Sequence, residues 1–79
     1  MISDIIPALT FLAVTPSDTV DLPAKARALY IGKGGDVAAI NASGDPIIFK
    51  SVQTGTILPV FTIRVNATDT SADSIVALF

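Results

Sequence analysis

Between Arg27 and Val52 the chain reads as three short apolar runs, Ala28–Ile31, Val37–Ile40 and Pro46–Val52, separated by Gly32-Lys33-Gly34-Gly35 and Ala42-Ser43-Gly44-Asp45. Runs of four to seven β-branched or aromatic residues bounded by Gly, Asn, Asp or Pro are strand signals. This stretch is expected to form a meander, with both glycine segments as hairpin turns and the rest of the chain paired to it or extending from it. Helix is disfavoured: Glu is absent, Gln occurs once, and Val, Ile and Thr supply 25 of 79 residues.

The flanks follow the same pattern. Thr15-Pro16-Ser17-Asp18 is a turn signal, and Thr19–Leu22 alternates before Pro23 ends it, as an edge strand would. After the Gln53–Thr56 turn, Val60–Val65 has a clean period of two, which predicts Phe61, Ile63 and Val65 inward and Thr62 and Arg64 outward. A polar loop, Asn66–Asp73, precedes a last strand, Ser74–Phe79, whose terminal Phe79 is expected to be docked. The sum is an all-β fold, a small antiparallel β-sandwich or barrel of six to seven short strands. Residues 15–79 form a single β domain in this reading, and residues 1–14 an apolar N-terminal arm or first strand.

Seventy-nine residues give one small core, and with no cysteine there is no disulfide to support it. Yet 51% of residues are hydrophobic and only 15% charged, more apolar than a soluble domain of this size needs. The surplus must lie exposed or meet another subunit, which points to a homo-oligomer or a packed assembly component. Runs such as Leu29-Tyr30-Ile31 and Ile47-Ile48-Phe49 lack polar alternation, so one face is expected to be core and the other a subunit contact. Candidate interface residues are Tyr30 and Arg64, types enriched at binding hot spots, with Ile48 and Phe79.

Several chemistries are disfavoured. Without His or Cys the usual zinc and haem ligands and the commonest general base are missing, so no enzyme activity, metal or cofactor is expected. A net charge of -2 does not suit nucleic acid. Gly32-Lys33-Gly34-Gly35 lacks the spacing and following helix of a phosphate loop. The pairs Asp69/Asp73 and Asp18/Asp21 lack further oxygen ligands at a calcium-site spacing and read as turn residues. Asn41-Ala42-Ser43 and Asn66-Ala67-Thr68 match the glycosylation sequon. The N-terminal apolar run carries Asp4, is broken by Pro7 and falls short of the ~20 residues that span a bilayer. Neither export nor membrane insertion is expected, and those sequons read as chance. A small carbohydrate-binding β domain is the competing expectation, from the polar Asn66–Asp73 loop and Tyr30.

The order of several segments resembles one family. Thr15-Pro16-Ser17-Asp18-Thr19 with Asp21-Leu22-Pro23, then Ala26–Gly32, Gly34–Val37, Gly55–Val60, Arg64-Val65 with Ala67-Thr68, and Ser74–Phe79 look like the small spike base proteins of tailed phages and gene transfer agents, over roughly residues 13 to 79. The resemblance implies a virion structural protein on the capsid surface, made in the bacterial host cytoplasm, on which a head spike or fibre is mounted at a vertex. It further implies a homo-oligomeric ring, a pentamer or else a trimer, with capsid protein and spike or fibre protein as partners.

Overall fold

A computed structural model describes residues 10–79. Seven strands follow in chain order: β1 Phe11–Ala13, β2 Ala28–Lys33, β3 Gly35–Ile40, β4 Pro46–Val52, β5 Thr56–Leu58, β6 Arg64–Val65 and β7 Asp73–Leu78. They form two sheets, ordered β1-β7-β2-β5 and β4-β3-β6, with antiparallel pairing throughout. The fold is thus an all-β sandwich of seven short strands. Phe11–Ala13 pairs with β7; residues 1–9 of the N-terminal arm or first strand expected over 1–14 lie outside the described residues.

The expected meander is divided between the two sheets. The hairpin β3–β4 is present, closed by Asn41 N–H to Asp45 O at 3.0 Å and Gly44 N–H to Asn41 O at 2.9 Å, with Gly44 at φ 90°. The β2–β3 pair does not exist, because the chain passes from one sheet to the other at Gly34. Gly32-Lys33-Gly34-Gly35 is therefore a sheet-switching corner and not a hairpin turn. Its glycines serve close backbone approach: a Cβ on Gly32 would lie 2.6 Å from the Ser74 carbonyl oxygen, and one on Gly34 would meet the Val52 carbonyl oxygen and lie 2.8 Å from the Thr54 nitrogen. The corner is tied by Gly34 N–H to Thr54 Oγ1 and by Asp36, which sits in a bulge and accepts from Ser51 N–H, both at 2.9 Å.

A second correction concerns residues 60–65. Only Arg64–Val65 is strand, Phe61 is 65% exposed and Thr62 is fully buried. The predicted alternation fails because this segment crosses from β5 in one sheet to β6 in the other, bridging Ala26 through Thr62 on the way. Pro59, which cannot donate to a ladder, stands where pairing with β2 stops. Thr62 Oγ1 then donates to Val60 O at 3.2 Å, giving the buried hydroxyl a partner. Thr19–Leu22 is likewise not a strand. Ser17 N–H donates to Val65 O and Leu22 N–H to Ile63 O, so this segment runs beside β6 and covers its outer edge.

Leu29 and Ile31 of β2, Ile75 and Ala77 of β7, Val37 and Ala39 of β3 and Val65 of β6 meet between the sheets, with Phe49, Val52, Leu58 and Phe79 packed against them. Among the described residues six of the twelve buried hydrophobic ones are alanines, four of them (Ala26, Ala39, Ala72 and Ala77) in the cluster between the sheets, whereas Phe11, Leu12, Val20, Tyr30, Ile47, Ile48, Ile57 and Phe61 stay exposed. Those four small residues let the sheets approach closely, and the bulk that the thin core cannot hold is left outside.

Candidate assembly surfaces

Strand register defines the first surface. One cross-strand row of the four-stranded sheet runs Ala13, Val76, Tyr30, Ile57, and the adjacent same-face row runs Phe11, Leu78, Ala28. These residues alternate with Leu29, Ile31, Ile75 and Ala77, which point into the core. Over these two rows the outer face is apolar, with Phe11 69%, Ile57 56% and Tyr30 38% exposed and Ala28 buried, and it gives way to Gly32 and Ser74 in the next row. None of the seven carries a charge.

The second surface lies at β4, the longest strand and an edge strand. Ile47 and Ile48 point to opposite sides of it, as their partners Ala39 and Ala38 require, and both are exposed. Beside Ile47 is a hollow of about 210 Å³ lined by Ala39, Phe49, Val60 and Thr62, with Phe61 standing at its rim. Its walls are mostly apolar, with Asn41 and Thr62 as the polar members. A further apolar hollow of about 400 Å³ is formed by Thr10, Leu12, Pro23, Ala24 and Phe79.

The four candidate interface residues fall in different places. Tyr30 lies at the centre of the first surface, and Ile48 is exposed on the side of β4 opposite Ile47 and the hollow. Phe79 is half-buried, its N–H donating to Thr10 O at 2.8 Å. Arg64 is tied inward, Nη1 lying 3.1 Å from Asp21 Oδ1 and Nε donating to Asn66 Oδ1 at 3.0 Å. Sequence reasoning missed Phe11, Ile47 and Ile57, and it placed Phe61 on the wrong side. Two-sided apolar runs flagged Ile47 only as part of its strand, and Phe11 and Ile57 join Tyr30 through pairings that local pattern does not reveal.

The polar groups are turned to the fold itself. Asp18 accepts from Thr68 N–H at 2.9 Å and from its hydroxyl at 2.7 Å. These bonds, the N–H first, hold its carboxyl below the ordinary value. Thr70 and Ser71 hydroxyls accept from the Ala38 and Asp36 amides, each at 2.9 Å. Asp36 is also held low, chiefly by the Ser51 N–H and secondarily by Lys50. Asn41 Oδ1 accepts from Ser43 and Asp45 N–H, and Asp73 Oδ1 from Ser74 N–H. Among the described residues no group of three acidic side chains is placed to hold a metal ion.

Comparison with known proteins identifies the relatives of this architecture. No family model and no curated protein matches the sequence. A solved chain from the capsid of a native gene transfer agent particle, computed with C5 symmetry, superposes with a TM-score of 0.83 at 37% sequence identity; the match covers 92% of this chain and 84% of that one. With that identity over nearly the full length of both chains, this protein belongs to the family of that gene transfer agent capsid component.

Proposed function

We propose that the protein is a virion structural component, the base on which a head spike or fibre is mounted at a capsid vertex, and that it acts by oligomeric assembly and not by catalysis. The observation that carries this reading is the inverted distribution of bulk: an alanine-rich core with eight large hydrophobic residues left exposed. An apolar surface of this kind on so small a domain calls for a partner. The kinship with a capsid component supports a particle as the place where that partner is found. A homo-oligomeric ring, with a pentamer favoured over a trimer as the form that matches a vertex, capsid protein and a spike or fibre protein are the proposed contacts. Residues 15–79 act in this proposal as one β domain, assembled after synthesis in the host cytoplasm. The competing carbohydrate-binding function would need polar groups presented to solvent, whereas Thr68, Thr70 and Ser71 of the Asn66–Asp73 loop are bonded to Asp18, Ala38 and Asp36.

The test is electron cryo-microscopy of particles made without this protein. Intact capsids with bare vertices are expected. Particles that keep their full set of vertex spikes overturn the proposal.

A further inference from the structure

We infer that the ring is built by one pairing of unlike surfaces: the outer face of the four-stranded sheet of one copy seats on the β4 hollow of the next, with Phe11 as the anchor. The inference rests on the assembly reading above and names the surfaces that would carry it.

Three observations lead to a second copy as the occupant. The two surfaces differ in form: the sheet face is a run of side chains with Phe11 standing 69% exposed, and the β4 surface has a recess of about 210 Å³ with exposed Ile47 and Phe61 at its lip. A projecting aromatic and an apolar recess are the two halves of an interface hot spot. They also match in chemistry, since the named residues on both sides are uncharged and a charged partner would lose solvation without gaining a counter-charge.

The total surface also leaves room for two contacts. Phe11 and Phe61 each leave about two thirds of their surface in water, roughly 100–170 Å² apiece out of the ~150–250 Å² an aromatic side chain can bury. An interface of standard size takes ~800 Å² from each partner. That is about one-sixth of this chain's 4824 Å², so two such interfaces together take about one-third of it. Two unlike patches on one subunit generate a closed ring when the rotation closes, whereas a single self-matching patch stops at a dimer.

The experiment uses two single variants, Ile57→Lys on the sheet face and Phe61→Lys at the hollow, both at exposed positions, with Phe11→Ser and Ile47→Ser as milder second choices. Native mass spectrometry of wild type is expected to give a ring and of each variant a monomer, with circular dichroism unchanged. Mixed in equal amounts, the two variants retain one intact sheet face and one intact hollow between them. They are expected to form a mixed dimer and nothing larger. A variant that still forms the full ring, a single variant that dimerises with itself, or a mixture that stays monomeric overturns the pairing. Adding wild type to spike-less particles separates this inference from the proposed function: rings that fail to attach remove the vertex function and leave the pairing, while attachment by a monomer removes the pairing and leaves the vertex function.

Discussion

The corner at Gly34 offers a quantitative test of the fold. Replacing Gly34 with Ala puts a methyl group against the Val52 carbonyl oxygen and 2.8 Å from the Thr54 nitrogen. Both neighbours are backbone, so no side-chain rotation relieves the clash and the β4–β5 connection must move away from β3. Gly34 N–H donates to Thr54 Oγ1 across the same gap, so that bond is strained as well. Overpacking of this kind costs about 1–3 kcal/mol. For 79 residues at ~0.05–0.15 kcal/mol each, total stability is roughly 4–12 kcal/mol, and the substitution removes a substantial part of it. Each kcal/mol shifts Tm by ~4–8 °C in a domain of this size, so a fall of roughly 4–24 °C is expected by calorimetry at fixed protein concentration. Gly44→Ala is the control, since its Cβ meets nothing within 4 Å and only the φ of 90° is unfavourable; ~1–2 kcal/mol is expected there. A Gly34→Ala protein melting within about 2 °C of wild type refutes the close-approach corner.

Three further outcomes follow from the same structure. Leu29→Ala, at a fully buried position between the sheets, should cost about 3 kcal/mol or more in denaturant unfolding through the cavity it leaves. Thr62→Val keeps the volume but removes the bond to Val60 O, for an expected loss of ~1 kcal/mol; an unchanged midpoint contradicts the hydroxyl's structural role. The lowered carboxyls of Asp18 and Asp36 stabilise the folded state above their ordinary value of 3.8, and that contribution is lost as pH falls below 3.8 and through the lowered folded values. Denaturation midpoints measured from pH 5 to pH 2 should therefore fall, and fall less in the Asp18→Asn, Asp36→Asn double variant.

How far the sequence reveals this fold depends on the range of the contact that decides each feature. Turn residues are local, so the Ala42–Asp45 hairpin and the last strand are readable from Gly, Asn and Asp and from the Ser74–Phe79 run. Sheet membership is not local. Gly32-Lys33-Gly34-Gly35 has the composition of a hairpin, and what makes it a corner is the approach of Val52 and Thr54, about twenty residues on. Phe61 was misplaced for a similar reason, because a period of two holds only while a segment stays in one sheet, and this one switches. The apolar surplus is visible in composition, and the exposure of Tyr30 and Ile48 agrees with the expectation that some of that surplus lies outside the core. Phe11 and Ile57 needed the register of β1-β7-β2-β5 to appear beside Tyr30. Residue type alone does not reveal that the Arg64 guanidinium is bonded to Asp21 and Asn66 within the chain.

The proposed role of this small domain is that of a building block of a particle vertex. A density map of the purified particle tests it, with the chain located by comparing wild type with a tagged form carrying extra mass on this protein. Extra density confined to the vertices, between capsid and spike, is the predicted result. Density spread evenly over the capsid faces, or none on the particle, contradicts the account.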